Sequence, residues 1–277
     1  MQRTIQEERA ALVACVAQLR SFKGTLVAMG GGPDPEGQVL PEFIRLAGGP
    51  FARLVTVPVA SYVREMSKIY FDILHEYGIQ EVWHVDPEGE QCNWPIIRPS
   101  LLAASGIVIT GGDQKRLAVQ LVGTLVVEVV LEALRTGIPV YCTSASTVGL
   151  SDHMIGGLAE DDSVMMMPGL GILPGITIET HVTQRDRHGR LTELAARHVN
   201  PVLLGLDENT ALFFIPGTSK AVVRGPGQVV VLCCRTPERS HVLHAGDVLD
   251  IADLLFEIEP LWGASTPWPF RGLSAAC

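Results

Sequence analysis

Apolar and polar positions along this chain fall in blocks whose period switches between helix-like and strand-like. Ile5, Leu12, Val16 and Leu19 lie near helical spacing and predict an N-terminal helix within residues 1–22. Thr25–Met29 then reads as a short buried strand ending in Gly30-Gly31-Gly32, and Phe51–Val57 repeats the pattern before Pro58. A helix over about Arg64 to Tyr77 stops at Gly78, and Glu81–Val85 supplies the next strand. Gly106–Thr110 follows as a strand, then Gly111-Gly112-Asp113-Gln114. After it come a long apolar-periodic helix from about Leu117 to Arg135, Gly137 as its stop, and the strand Ile138–Tyr141. This alternation is the rhythm of right-handed crossovers, so the chain is expected to form a flavodoxin-like, doubly wound α/β fold. Its sheet would be mostly parallel, with helices on both faces. Ligands belong at the carboxyl ends of such strands. The segments Gly30–Gly32, Gly111–Gln114 and Thr143–Ser146 all fall there.

Beyond residue 200 the texture changes. Ala211–Ile215, Ala221–Val223 and Val229–Cys234 are separated by Pro216-Gly217 and Gly225-Pro226-Gly227, which are hairpin signals. No polar linker divides the halves. The expectation is therefore a single α/β domain over residues 1–277, with an antiparallel C-terminal extension of the main sheet. Residues 262–277, rich in Pro, Gly, Ser and Ala, read as a loosely packed tail. Trp262, Trp268 and Phe270 would rest on the body or on a second subunit, which favours a homodimer.

With 277 residues, 47% of them apolar and 18% charged, the chain can bury an enzyme-sized core. Its 21 basic and 30 acidic residues give a net charge of −9, which disfavours nucleic acid or an anionic membrane as the main partner. The six cysteines lack C-x-x-C spacing, so neither a metal site nor a disulfide framework is expected, and no cofactor motif stands out. Glu7 and Glu8 precede the first apolar segment, unlike a secretion signal, and no apolar run reaches the roughly 18 residues of a bilayer span. A cytoplasmic location is expected.

Candidate chemistry centres on Tyr141-Cys142-Thr143-Ser144-Ala145-Ser146, between a strand and a helix-like run, where α/β hydrolytic enzymes place a nucleophilic serine. Such an elbow needs small residues two before and two after the serine; here they are Cys142 and Ser146. An ordinary helix-capping cluster is the plainer reading of the segment alone. Cys142 could be a rival thiol nucleophile, but two residues earlier it belongs in the strand and reads as core. If Ser144 attacks, the N–H of Ala145 and one from the Gly111-Gly112 turn could serve as oxyanion donors. Asp113 reads as a helix cap, leaving Gln114 to meet substrate.

A base and its orienting acid must come from downstream. The segment Ile178–Arg190 is the most polar in the chain. Strand alternation there would place Glu179 and His181 on one face, and Arg185, Arg187 and Arg190 form a planar-donor cluster suited to carboxylates. His188, inside that cluster, reads as a surface residue. Asp207 and Glu208 interrupt apolar strands, and only one of the two can face His181.

These pieces join in an order that resembles the cyanophycinases and their aspartyl dipeptidase relatives, serine peptidases on a flavodoxin-like sheet. The motifs are Ile109-Thr-Gly-Gly-Asp-Gln114, Thr143-Ser-Ala145, Ser151-Asp-His-Met-Ile155, Gly169-Leu-Gly-Ile-Leu173, His181-x-x-Gln-Arg-x-Arg-x-Gly-Arg190 and Gly205-x-Asp-Glu-x-Thr-Ala211. The resemblance implies Ser144 as nucleophile, His181 as base and Glu208 as its orienter, with Gly112 and Ala145 at the oxyanion. Asp113, Gln114, Glu179, Thr180, Arg185, Arg187 and Arg190 would bind substrate. It also implies an exopeptidase acting through an acyl-enzyme on cyanophycin, a poly-aspartate carrying arginine on each β-carboxyl, or on related β-aspartyl or acidic peptides. The family usually has Gly at positions 142 and 146 and Asp-Gln in place of Glu179-Thr180. Those departures support an alternative: a silent or altered-specificity member that binds an acidic peptide or small molecule. A thiol amidotransferase-like enzyme would need Cys at position 144, which is Ser.

Overall fold

A computed structural model describes residues 4–34, 37–61, 63–85, 94–235 and 240–258. In chain order its elements begin with α1 (Ile5–Ser21), β1 (Leu26–Met29), α2 (Leu40–Leu46), β2 (Arg53–Val57), α3 (Val63–Glu76) and β3 (Glu81–His84). They continue with α4 (Trp94–Ala103), β4 (Gly106–Ile109), α5 (Gln114–Leu121), α6 (Leu125–Thr136), β5 (Val140–Thr143) and α7 (Ala145–Gly149). Next come β6 (His153–Leu158), β7 (Val164–Pro168), β8 (Ile176–Thr180), α8 (His188–Arg197), β9 (Val202–Leu206) and β10 (Ala211–Phe214). The last are β11 (Lys220–Arg224), β12 (Val229–Cys233), β13 (His241–Leu243), β14 (Val248–Asp250) and α9 (Ile251–Ile258).

The main sheet runs β14-β11-β10-β1-β5-β4-β2-β3. From β1 to β3 its pairings are parallel, and β10, β11 and β14 add to it antiparallel. The alternation of side chains across the strands explains the two cores. Leu26, Ala28, Val55, Val57, Ile107, Ile109, Val140 and Cys142 face a large cluster with α1, α4, α5 and α6. Val27, Met29, Leu54, Val108 and Tyr141 face a smaller one with Phe43 and Ile44 of α2 and Leu74 of α3. Continuous apolar runs with both faces covered are what a parallel sheet requires.

The fold departs from the sequence expectations at several elements. The long helix predicted over Leu117–Arg135 is two helices, α5 and α6, meeting at 88°. Val122 leaves the helix in an extended conformation and Gly123 takes φ 71, yet both pieces bury an apolar face, so the periodicity runs through the break. The strand predicted from Phe51 starts at Arg53, because Gly49–Phe51 forms a 3₁₀ turn that leaves Phe51 exposed. Val229–Cys233 joins not the main sheet but a second one, ordered β13-β12-β9-β8 and containing the parallel pair β8/β9. The hairpin β6/β7 was not predicted; its Met165-Met166-Met167 run carries no clear period. The predicted tail, with Trp262, Trp268 and Phe270, lies outside the described residues, as does Cys92. No single described helix is long and apolar enough to cross a membrane.

Candidate active site

The elbow forms where β5 ends. Its neighbours on both sides, residues 141–143 and 145–150, are buried, while Ser144 is half-open. Ser144 takes φ 54 and ψ −115, which no regular element uses, and it caps α7 from outside the helix. A non-glycine residue held there is strained by about 1–3 kcal/mol, so the surroundings must fix it. They do so through backbone. The Ser144 N–H donates to the Met29 carbonyl of β1 at 3.1 Å, and the Thr147 hydroxyl donates to the same oxygen at 2.7 Å. Ser146, with no exposed surface, donates to the Ile109 carbonyl of β4 at 2.7 Å and accepts from the Thr143 N–H at 2.8 Å. The Ser146 hydroxyl thus ties the elbow to the neighbouring strand.

His181 follows β8. It is not in the strand, since β8 ends at Thr180 and His181 adopts φ 55, so the strand alternation expected to pair it with Glu179 does not set its direction. Its Nε2 lies 2.8 Å from Ser144 Oγ, and its Nδ1 lies 2.6 Å from Glu208 Oε1. An ionised carboxylate can only accept, so Nδ1 carries the proton and Nε2 is left to accept from the serine hydroxyl. His181 is 4% exposed. Burial lowers its pKa from the ordinary histidine value; the Glu208 carboxylate pulls it back up, while Arg185 and Arg187 push it further down. Gly31 is what lets the ring sit there: a Cβ on it would come within 2.3 Å of His181 Cε1, and its φ of +99 disfavours a side chain in any case.

The neighbouring acids divide cleanly. Asp207 is buried and accepts the N–H groups of Thr183 at 3.0 Å and Gln228 at 3.2 Å, so it fastens the β9–β10 turn. Glu208 is the acid that faces His181, and Gln184 accepts the Glu208 N–H at 2.9 Å. Asn209, at φ 58, donates its N–H to the Gly31 carbonyl and accepts the Asp34 N–H at 2.8 Å. Sequence reasoning carried Gln184 in the His181–Arg190 motif without giving it a role, and passed over Asn209. Their signal was adjacency to the polar segments that carry the histidine and the acid.

Across the crevice, Gly111 packs so closely on Ser144 that a Cβ there would come within 3.0 Å of the serine Cβ. Ser61 donates to the Gly111 carbonyl at 3.0 Å, which orients the peptide leading to the Gly112 N–H. Asp113 caps α5 by accepting the Arg116 N–H at 2.9 Å, and Gln114 opens that helix, half-exposed. Cys142 is fully buried and its thiol is pushed up to about 12 by burial, so it packs rather than reacts. Cys15, Cys233 and Cys234 are likewise buried and outside any disulfide.

The arginine cluster is not arranged as the sequence suggested. Glu179 has no exposed surface: its carboxylate accepts Arg187 Nη1 at 2.9 Å, the Thr180 N–H at 2.9 Å and Arg190 Nη1 at 3.2 Å. Arg187 also donates to the Thr180 carbonyl at 3.1 Å. Thr180 is itself fully buried, its hydroxyl without a partner. Glu179 and Thr180, expected to meet substrate, thus face inward and take Arg187 and Arg190 with them. Arg185 stays exposed, and His188 is exposed at the start of α8. Among the described residues no group of three or more His, Cys, Asp or Glu side chains is set to hold a metal.

Fold and site together define a serine-type peptidase, a hydrolase on an α/β sheet. The chain belongs to Peptidase family S51, whose profile matches residues 26–222. It is 34% identical over 207 residues to a cyanophycinase of Trichormus variabilis, covering 70% of this chain and 69% of that one. It is 32% identical over 229 residues to a cyanophycinase of Synechococcus elongatus, covering 77% and 70%. Among solved structures, a peptidase from an acI-B1 Actinobacterium shares the fold with a TM-score of 0.67 at 20% identity, over 83% of this chain and 98% of that one. A putative peptidase E from Listeria monocytogenes EGD-e gives 0.53 at 18% identity, over 76% and 98%.

Proposed function

We propose that the protein is a serine exopeptidase that hydrolyses cyanophycin or related β-aspartyl or acidic peptides through an acyl-enzyme on Ser144. The observation that carries this reading is the unbroken chain of short contacts, 2.8 Å from Ser144 to His181 and 2.6 Å from His181 to Glu208. Ser144 Oγ attacks the scissile carbonyl while His181 Nε2 takes its proton, and Glu208 holds Nδ1–H and stabilises the imidazolium that forms. The N–H groups of Gly112 and Ala145 receive the oxyanion. His181 then gives its proton to the leaving amine, the C–N bond breaks and a serine ester remains. Water attacks that ester with His181 again as base, releasing the acid and restoring the hydroxyl. The lowered pKa of His181 supports this role, because a base must be neutral at working pH.

The substrate class rests on the relatives, which are cyanophycinases, and on Arg185, an exposed guanidinium beside the histidine. We assign substrate contact to Gln114 and Arg185. A homodimer in the cytoplasm is the setting we favour: buried cysteines outside any disulfide suit a reducing compartment. The aromatic residues of the C-terminal sixteen would suit a subunit contact. The test is release of dipeptides from cyanophycin and from β-aspartyl dipeptides. Ser144→Ala is expected to lose roughly 10⁴-fold or more in kcat. A wild-type protein inert on every β-aspartyl and acidic peptide would remove the reading.

A further inference from the structure

Three arginines within six positions invite the inference that the site binds several carboxylates at once. The geometry points elsewhere. Glu179 lies wholly inside, and both of its oxygens are taken by Arg187, Arg190 and the Thr180 N–H. The Arg187 and Arg190 side chains are only 14% and 22% exposed. The buried Glu179 carboxylate already holds guanidinium donors that a substrate carboxylate would need. Displacing it would leave an uncompensated buried charge, among the costliest changes a protein interior can undergo. Arg185 differs in two respects: it is exposed and it is not paired with Glu179, while its charge, like that of Arg187, bears on His181. Its backbone N–H donates to the His181 carbonyl at 2.9 Å, which fixes it to the same turn as the base.

We propose that Glu179 sets the charge specificity of the site. By holding Arg187 and Arg190 in an internal ion-pair triad, it leaves Arg185 as the guanidinium of this cluster that meets substrate. The site therefore takes peptides with one free carboxylate near the scissile bond as readily as peptides with two. This rests on the peptidase reading of the crevice. Glu179 and its two arginines are in this sense determinants of specificity rather than catalytic residues.

Binding to Ser144→Ala protein tests the proposal without turnover, using β-aspartyl-alanine and its C-terminal amide, which differ by one carboxylate. With Glu179 intact, the second carboxylate is expected to improve affinity less than about threefold. In a Ser144→Ala/Glu179→Gln protein the freed arginines should raise that ratio to about tenfold, the effect of one charge-assisted hydrogen bond. A tenfold ratio with Glu179 intact, or a ratio unmoved by Glu179→Gln, would overturn the proposal. So would failure of both peptides to bind. Should Glu179→Gln fail to fold, the single arginines decide. Arg185→Gln is expected to weaken both peptides about tenfold and Arg190→Gln less than about twofold, and the reverse order would overturn the proposal. Lack of hydrolysis by the protein with Ser144 in place would refute the peptidase reading while leaving these binding ratios to stand or fall separately.

Discussion

The Ser144 crevice and the basic corner beside it use the same kinds of side chain in opposite ways. In the crevice, Ser144 is half-open and touches one side-chain partner, His181, which touches one further partner, Glu208. In the corner, Glu179 is closed off and saturated by three donors. Backbone strain occurs in both regions, since Asp186, between Arg185 and Arg187 in the corner, takes φ 50. Ser144, His181 and Asn209 all hold positive φ in the crevice, each fixed by main-chain bonds to the end of β1 or the glycines after it. β8, which carries Glu179, is ordinary strand up to Thr180. A polar residue type therefore says little about chemistry until its bonds are counted. Groups left with spare capacity in a strained frame are available to a substrate, and saturated groups hold the frame.

The comparison predicts a graded set of outcomes. The largest effect belongs to the crevice: Ser144→Ala should reduce peptide release by roughly 10⁴-fold or more, with a stability loss of no more than about 1–3 kcal/mol, because the Nε2 of buried His181 loses its partner. Steady-state kinetics beside a thermal melt would read both. Glu208→Gln should cost somewhat less, on the order of 10³-fold to 10⁴-fold in kcat, because it disfavours the histidine tautomer but leaves the nucleophile and oxyanion donors in place. The same change at Asp207 should act on stability instead, because that carboxylate accepts two backbone N–H groups. Equal kinetic losses at the two acids would erase the distinction drawn between them.

Ser146→Ala sharpens the comparison within a single turn. It removes a buried hydroxyl that serves the Ile109 carbonyl and the Thr143 N–H, so it should cost about 1–3 kcal/mol in chemical denaturation and lower kcat far less than Ser144→Ala. The smallest effect is electrostatic. With His181 as the proposed base, kcat/KM is expected to fall as pH drops through the histidine pKa, which burial holds below its ordinary value. Arg185 disfavours the imidazolium. Arg185→Gln should therefore raise that pKa and move the acid limb upward by a few tenths of a pH unit, a modest shift because an exposed charge is screened. A downward move in the pH profile would contradict the sign.

Most of the parallel sheet was legible because buried strands announce themselves as apolar runs and their ends as glycine turns, as at Met29–Gly32 and Ile109–Gly112. The α5–α6 break was not, since a burial period cannot register a bend when both helices face the same core. Ser144, His181 and Glu208 could be proposed from residue type, order and resemblance, but their convergence depends on non-glycine left-handed turns at Ser144 and His181 that no local pattern encodes. The choice between Asp207 and Glu208 was open for the same reason. Glu179 was paired with His181 because alternation was carried one residue past the end of β8, and its substrate role came from the resemblance alone. Its partners lie on the turn and helix that follow, where the arginines read equally well as a binding patch.

The account turns on Ser144 being an activated nucleophile, and the most direct test is covalent labelling by a serine-reactive phosphonate followed by peptide mass spectrometry. The expected result is one phosphonyl group per chain on Ser144, with labelling slowed at least about a hundredfold in His181→Gln. A protein that stays unlabelled at Ser144, or that labels equally fast without the imidazole, would contradict it.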